Sequence, residues 1–479
     1  MRRNLSILAA LPCAVGISFG LAIGQTVTVA SDGTGDYESL QDAIASEPEI
    51  VQIVDDGAYE GHVSISQAIT IEGTGEDRPT LLLQQGGGST HGIQITITDE
   101  SVAHDVTLRN LILLPSEEDT PVRGIQAGGA NQNLLLENLL ITVNDGAGNP
   151  ITTDGLEELD LNDFPDRVEF GDDGMLVGGG GPGGPGTTVT FRDVVISHLQ
   201  VGSSPDGIIL SAGQPDTNFI FEDGNVVSYC GRFGIQAGRN FQVNAPEQRL
   251  MVLGNTRSNI WYTGNDGTVD DLVIDGVVSV GSSEWGLQHQ VGASPMNLIV
   301  RNSIFVGNNN GGILVGGAAS SAAHSVQVEN VTSARNDGPS FLVFSAGYEA
   351  PITIQSSVLA GDGTDDADNV IRHSGTGPFT IESSAIVTAG PDRLNSDPID
   401  DVNDEVSTFA IVSADPVFDP TDDPSHENYF QVTNIGDYDG QAFDGSFLRG
   451  GAPAPEVEPT PTPTPTPVPL HNPSWEHYQ

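Results

Sequence analysis

The sequence contains no lysine, and its basic residues are 16 arginines against 65 acidic residues, which gives a formal net charge of −49. A surface of this sign repels nucleic acid and anionic membranes, so neither is predicted as a partner. The general consequence of such a charge is solubility. A more specific consequence would be the binding of cations where aspartates cluster.

Cysteine is nearly absent, since Cys13 and Cys230 are the only two. Cys13 falls in an apolar stretch, residues 5–23, that follows two arginines and ends in small residues, which is typical of a secretory signal peptide. We therefore predict that residues 1–24 are removed and that the protein is secreted or held at the cell surface, without membrane insertion after cleavage. Cys230 then stays alone, which excludes an intramolecular disulfide and favours a buried thiol.

Aromatic residues are few, 6% of the chain, whereas glycine is abundant with 59 residues. Glycine supplies the positive φ angles of tight turns, so this composition suits many short strands better than helices. Short strands with alternating apolar residues do recur along the chain. They lie at 106–114, 133–141, 188–196, 218–227, 297–305, 325–333, 353–359 and 379–387. This repeat predicts an all-β fold, a right-handed parallel β-helix (solenoid) of about ten coils.

The alternation predicts which side chains fill the interior of the solenoid and which mark its turns. Leu108, Val300, Ile304 and Val328 are expected to point inward. An Asn or Asp recurs at the same turn of each repeat, where side chains stacked from coil to coil can hydrogen-bond to one another. These turn residues are Asn110, Asn138, Asp193, Asp223, Asn302 and Asn330.

The composition and the strand repeat together divide the chain into five segments. Residues 1–24 are the signal peptide, and residues 25–85 form an amino-terminal cap and the first strands, with a short capping helix near 38–46. Residues 86–452 form the β-helix and a carboxy-terminal closing segment. Residues 453–469 are a Pro/Thr-rich linker, which is stiff and extended, and residues 470–479 are a short tail.

The amino-terminal segment carries a resemblance to a known family. The matching residues are Asp32-Gly33-Thr34-Gly35-Asp36-Tyr37, Leu40-Gln41, Ala43-Ile44, Gly57, Tyr59, Glu60, Ile69-Thr70-Ile71 and Gly73. This pattern resembles the amino-terminal segment of pectin methylesterases and related polysaccharide-active enzymes among the secreted, pectin lyase-like right-handed parallel β-helix proteins. The resemblance implies the solenoid fold and a polysaccharide partner.

A second strand in each coil opens with glycine, and the residues just before this glycine carry chemistry. Successive coils offer Arg123, Asp173, Asp206, Phe233 and Trp285 at one position, and Asp172, Arg232, Arg257 and Glu284 at the position before it. Because a solenoid brings residues one coil apart into contact, we predict that these side chains line one shallow groove. The stretches Gly171-Asp172-Asp173-Gly174 and Pro205-Asp206-Gly207-Ile208 also resemble the Asp-bearing strands of polygalacturonase-type hydrolases.

We predict a monomeric enzyme that cleaves glycosidic bonds of an acidic, uronate-type polysaccharide. In a hydrolase, Asp173 and Asp206 would share general acid and base work. In a lyase, Arg232 would lie near the position of the catalytic base, since the chain has no lysine to serve as one. Asp172, Asp173 and Asp206 would then bind Ca²⁺. Arginine binds carboxylates in a bidentate manner and aromatic rings stack on sugars, so a further set is predicted to bind substrate. These residues are Arg123, Arg257, Tyr262, Glu284, Trp285 and His289.

A second hypothesis stays open beside the enzyme. The same solenoid can be a non-catalytic surface or adhesive protein that binds carbohydrate, because the fold alone decides no function. In that case the aspartates are solvated turn residues, and the arginines pair with them on the surface.

Overall fold

The computed structural model of the protein describes most of the chain between Gln25 and Val387. The described residues are 25–75, 77–97, 104–129, 132–151, 158–178, 188–202, 205–211, 218–238, 241–245, 248–263, 271–290, 297–316, 325–344, 348–361, 370–387, 399–400, 408–412, 417–418 and 432–434. The predicted signal peptide, the Pro/Thr-rich linker and the tail lie outside these residues. No helix among the described residues is long and apolar enough to cross a membrane.

The described residues form an all-β parallel solenoid of about ten coils, as the repeat predicted; its right-handed winding stays a prediction. Each coil contributes one strand to each of three parallel faces, which we call A, B and C. Faces A and B share one sheet of 22 strands, because four long strands run through the bend between them. These four are His104–Pro115, Gln132–Ile141, Thr188–Ser197 and Phe379–Val387.

The other strands belong to a single face each. Face A contains Thr26–Val29, Ile50–Ile53, Ile69–Gly73, Asn218–Phe221, Phe241–Asn244, Asp271–Asp275, Asn297–Arg301, Ser325–Glu329 and Ile352–Gln355. Face B contains Ala58–Gly61, Thr80–Leu83, Val226–Ser228, Leu250–Leu253, Val277–Val280, Ile304–Val306, Thr332–Asn336, Val358–Gly361 and Thr408–Val412. Face C is a sheet of 12 strands: Val63–Ile65, His91–Ile97, Arg123–Gly129, Met175–Val177, Ile208–Leu210, Ile235–Ala237, Ile260–Tyr262, Trp285–Gln290, Gly311–Gly316, Phe341–Val343, Ile371–His373 and Ile399–Asp400.

Three smaller elements complete the described structure. The strands Val417–Phe418 and Val432–Asn434 form an antiparallel pair, and Leu161–Asp163 is a 3₁₀ turn. The helix Leu40–Ala45 begins after Ser39, whose hydroxyl accepts the N–H of Asp42 at 3.3 Å. It packs its apolar side on the first strands. That this helix closes the end of the solenoid stays a prediction.

The interior of the solenoid is apolar, and three of the four predicted core residues lie in it. Leu108, Val300 and Val328 are buried within the main core. The inward orientation predicted for Ile304 was wrong: it is buried in a second cluster on face B, while its neighbour Phe305 joins the main core. The turn between faces A and B resets the alternation, so a strand pattern cannot be extended through it.

The turn between faces A and B depends on residues with positive φ, as the Asn/Asp repeat predicted. Asn110, Asn138 and Asn302 have φ of 58°, 50° and 51°, a region that Asn tolerates better than most residues. The Asn138 amide donates to the Asn110 side chain at 2.9 Å, and the Asn330 amide donates to Asn302 at 3.2 Å. In the coil of Asp223 one extra residue is present, and Gly224, with φ of 81°, takes the bend instead.

Candidate functional site

The strands of face C are in register, so the residues before them stack in a row. Met175 pairs with Ile125 and Ile208, and Ile208 in turn pairs with Ile235. The pairing continues through Ile260 to Leu287. Arg123, Asp173, Asp206, Phe233, Ser258 and Trp285 therefore occupy equivalent positions in six successive coils. We call these residues, together with Asp172, Arg232, Arg257 and Glu284 one position earlier, the face C row.

Asp173 lies at the ionic end of this row with no exposed surface. One carboxylate oxygen is 2.7 Å from Nε of Arg123, and the other accepts the Asp206 N–H at 3.3 Å. Arg123 also approaches the partly exposed Asp172, at 3.6 Å. Burial raises the pKa of Asp173 to about 6, against the opposing effect of Arg123. Asp173 thus exchanges its proton nearer to neutral pH than an ordinary aspartate does.

Asp206 is also fully buried and is held by the next coil. Arg232 grips it with two bonds, from Nε at 2.7 Å and from a terminal nitrogen at 2.5 Å. The Phe233 N–H adds a third bond at 3.1 Å. Burial raises the pKa of Asp206, while Asp206 raises the pKa of Arg232. This bidentate geometry fixes the guanidinium, and the same terminal nitrogen also donates to the side-chain oxygen of Gln236.

The two aspartates predicted as catalytic are therefore neighbours, as the alignment required, but neither side chain reaches solvent. Their oxygens are engaged by arginines and backbone N–H groups, which leaves little room for a cation. Among the described residues, no group of three or more His, Cys, Asp or Glu could hold a metal ion. The predicted Ca²⁺ ligands Asp172, Asp173 and Asp206 do not fit that ion in this arrangement.

The middle of the row is aromatic. Phe233 stacks on Trp261 with ring centroids 4.4 Å apart and planes 28° apart. The guanidinium carbon of Arg232 lies 5.1 Å from the Phe233 centroid, and that of Arg257 lies 5.7 Å from it, both within cation–π range. Arg257 is exposed and Trp261 is half-buried. Phe233 itself is buried, so two guanidinium groups and the ring of Trp261 form the partly exposed surface around it.

The far end of the row carries Glu284 and Trp285, both half-buried. The Ser258 hydroxyl lies 3.4 Å from Glu284 and 2.7 Å from the Gln288 amide oxygen, which ties the two coils together. The Trp285 ring lies over Gly311, where an added Cβ would come within 2.3 Å of the ring. Glycine is needed at position 311 for two reasons: its φ is 141°, and any side chain there would collide with the Trp285 ring.

Two residues predicted to bind substrate point the other way. Tyr262 and His289 are 3% and 2% exposed and lie inside the solenoid, stacked on each other with centroids 5.2 Å apart. The physical reason is strand alternation: Ile260 faces the core, so Tyr262 two residues later does too. These two predictions were wrong, because the side chains do not line the row.

The same alternation points to residues that the predicted site left out. Trp261 lies between the inward Ile260 and Tyr262 and therefore faces outward beside Phe233. Gln236 and Gln288 occupy the equivalent outward positions in the neighbouring coils, where they bond Arg232 and Ser258. Counting one residue on from the core residues Ile235, Ile260 and Leu287 of face C would have found all three.

Comparison with known proteins finds similarity in structure but not in sequence. No protein-family model matches the chain, and no curated protein matches it in sequence. The Dettilon tailspike protein aligns over 74% of this chain and 58% of its own, at 12% identity and a TM-score of 0.38. This chain therefore spans less than two thirds of that tailspike.

Two further solved structures are similar to the chain. The A-module of the Azotobacter vinelandii mannuronan C-5 epimerase AlgE4 aligns over 78% of this chain and 94% of its own, at 15% identity and a TM-score of 0.35. The receptor-binding protein of bacteriophage Det7, a podoviral tailspike, aligns over 82% of this chain and 77% of its own, at 11% identity and a TM-score of 0.36. The similarity in all three cases is one of backbone path.

Proposed function

We propose that this protein binds an acidic polysaccharide along the face C row, outside the cell. The observation that carries the proposal is the grouping of the Arg232 and Arg257 guanidinium groups and the half-buried Trp261 ring around the buried Phe233. A uronate residue presents a carboxylate and an apolar ring face. Arginine takes the carboxylate in charge-assisted hydrogen bonds, and an aromatic side chain covers the ring face.

The buried aspartates support this role indirectly. Asp206 fixes the Arg232 guanidinium by two bonds, and Asp173 fixes Arg123 by one. An arginine that is held in place before the ligand arrives loses little conformational entropy on binding. The row therefore presents positive groups in set positions on a molecule whose net charge is strongly negative.

Cleavage of the bound polysaccharide, by hydrolysis or by elimination, is the second candidate. The pKa of about 6 at Asp173 favours it, because a carboxyl group that holds its proton near neutral pH can supply one. Since Asp173 is buried, the group that contacts the polymer would be its neighbour Asp172. Asp172, half-buried beside Arg123, is the nearest carboxylate of the row with exposed surface. Ca²⁺ has no part in this candidate.

The experiment compares two polymers that differ in the methyl esterification of their carboxylates, and so in charge. Titration calorimetry with polygalacturonate and with its fully methyl-esterified form should show binding of the charged polymer and at least about tenfold weaker binding of the ester, a difference of about 1.4 kcal/mol. The double substitution Arg232→Gln and Arg257→Gln should remove that preference. Arg301→Gln, which alters an exposed arginine on face A, is the control and should keep it.

Equal affinity for the two polymers would rule out recognition of the carboxylate. Cleavage is read in the same samples, by reducing ends for hydrolysis and by the absorbance of a new C=C bond for elimination. Products that form with the wild type and not with Asp173→Asn would establish the second candidate. Binding without products from any uronate polymer would leave the first.

A further inference from the structure

The three faces of the solenoid each begin with an edge strand at the amino-terminal end. These strands are Thr26–Val29 in face A, Ala58–Gly61 in face B and Val63–Ile65 in face C. An edge strand presents unpaired backbone N–H and C=O groups, which readily pair with another strand, and proteins usually cover such edges. What lies over each of the three edges is therefore informative.

Two of the three edges are covered by the chain itself. In face A, the Thr28 N–H donates to the Asp36 carboxylate at 2.9 Å, and the Thr28 carbonyl accepts the Tyr37 N–H at 3.0 Å. In face C, the Ser64 N–H donates to the side chain of Gln41 at 2.8 Å, and the helix Leu40–Ala45 packs on the strand. The outward N–H and C=O of Thr28 and the outward N–H of Ser64 thus have partners within the chain.

The edge of face B is open as far as the described residues go. The carbonyls of Gly57 and Gly61 accept N–H groups of the next coil, from Thr80 at 3.3 Å and Gln84 at 3.1 Å. Because backbone groups alternate in direction along a strand, those of Ala58 and Glu60 point away from that coil. Within the described residues, no hydrogen bond reaches the backbone N–H or C=O of either one.

This open edge lies in a cleft of about 460 Å³, which is within the size range of ligand clefts. The strand Ala58–Gly61 forms one side of the cleft, and Ser39–Gln41 at the start of the helix contributes the other. Tyr59 anchors the strand, because its buried side chain accepts the Ser31 N–H at 2.9 Å and bonds Asp55. The edge is therefore held in an extended form before any partner arrives.

The charge of the cleft indicates what kind of strand would pair there. Glu38 and Glu60 line it and are exposed, and His62 is the one basic residue among its lining residues. A second copy of this chain, with a net charge of −49 and no lysine, would be repelled. A basic segment of another protein would be attracted.

We propose that the open edge of Ala58–Gly61 binds an extended, basic segment of another protein by strand addition. The segment would bond to the backbone of Ala58 and Glu60, and its basic side chains would meet Glu38 and Glu60. Main-chain bonds supply affinity in this mode of recognition and side chains supply selectivity. The proposal is independent of the face C row, which lies at the start of other strands.

The test uses the full chain and a fluorescent peptide of alternating lysine and valine, measured by anisotropy. We expect saturable binding, and at least tenfold weaker binding of the same peptide with N-methylated backbone and of an alternating glutamate–valine peptide. Ala58→Pro should abolish binding, because proline removes the outward N–H without touching the bonds to Thr80–Leu83. Should that variant fail to fold, the double substitution Glu38→Gln and Glu60→Gln should still weaken binding at least tenfold.

Glu49→Gln is the control, since it removes one exposed negative charge outside the cleft, and it should leave binding unchanged. Binding that survives both N-methylation and Ala58→Pro would be charge attraction alone and would overturn strand addition. Absence of binding would overturn the proposal as well. So would a dimer of the chain by itself, in light scattering, that Ala58→Pro abolishes, because the edge would then belong to a second copy.

Discussion

The ionic and aromatic stretches of the face C row are built from equivalent positions of successive coils, yet they use their side chains in opposite ways. At Asp173 and Asp206 the charged groups are turned into the structure and closed by arginines. Around Phe233 and Trp261 the rings stack on each other and leave guanidinium groups beside them. The comparison teaches that the buried carboxylates hold arginines in place, whereas the arginines and the Trp261 ring form the accessible surface of the row.

The largest expected effect is on stability, in the ionic stretch. Asp206→Ala leaves Arg232 without its bidentate partner and opens a buried site, so we expect the free energy of unfolding to fall by about 3–5 kcal/mol. Arg301→Gln removes the exposed partner of Asp275 on face A and should cost under about 1 kcal/mol. Urea unfolding of the three proteins measures both. Equal costs would contradict the structural role of Asp206.

The next effect is on the pH dependence of stability. The pKa of Asp173 is raised to about 6 in the folded protein, so the folded state binds the proton more tightly than the unfolded state. Its contribution is therefore full below pH 4 and is lost as the pH rises through 6. Relative to Asp173→Asn, the wild type should gain about 2 kcal/mol between pH 7 and pH 4. A flat difference in urea unfolding across that interval would refute the raised pKa.

In the aromatic stretch the expected effect is on binding. Trp261→Ala removes the outward ring that stacks on Phe233, at a cost to stability of about 1 kcal/mol. Affinity for polygalacturonate should fall about tenfold or more, because a ring surface is lost from the middle of the row. If calorimetry shows unchanged affinity while stability falls, the ring pair is structural, and the contrast between the two stretches disappears.

The smallest effect is expected at the exposed edge of the row. Arg257→Gln removes one cation–π contact with Phe233, worth about 0.5–1 kcal/mol at an exposed site. Binding of polygalacturonate should weaken a few-fold and should depend less on salt than in the wild type. An unaltered salt dependence would show that Arg257 takes no part in holding the carboxylates of the polymer.

Most of the fold could be predicted from the sequence, and part of the site could. The repeat indicated the strands, the Asn bends and the register of Arg123, Asp173 and Asp206, because identical positions recur once per coil. Burial of the aspartates could not be foreseen, since it depends on an arginine of a neighbouring coil folding over each. The orientations of Tyr262 and His289 were predicted wrongly, because the alternation of side chains along the strand was not followed from the inward-facing Ile260.

The bend at Asn110 and Asn138 has a mechanical consequence. Each coil is held chiefly by hydrogen bonds to the coils directly above and below it, and the amide of Asn138 is one such bond. A force on one end of the chain therefore loads the terminal coil alone, and the rod peels from that end. The 28 residues from Asn110 to Asn138 correspond to roughly 95 Å of extended chain released when that coil detaches.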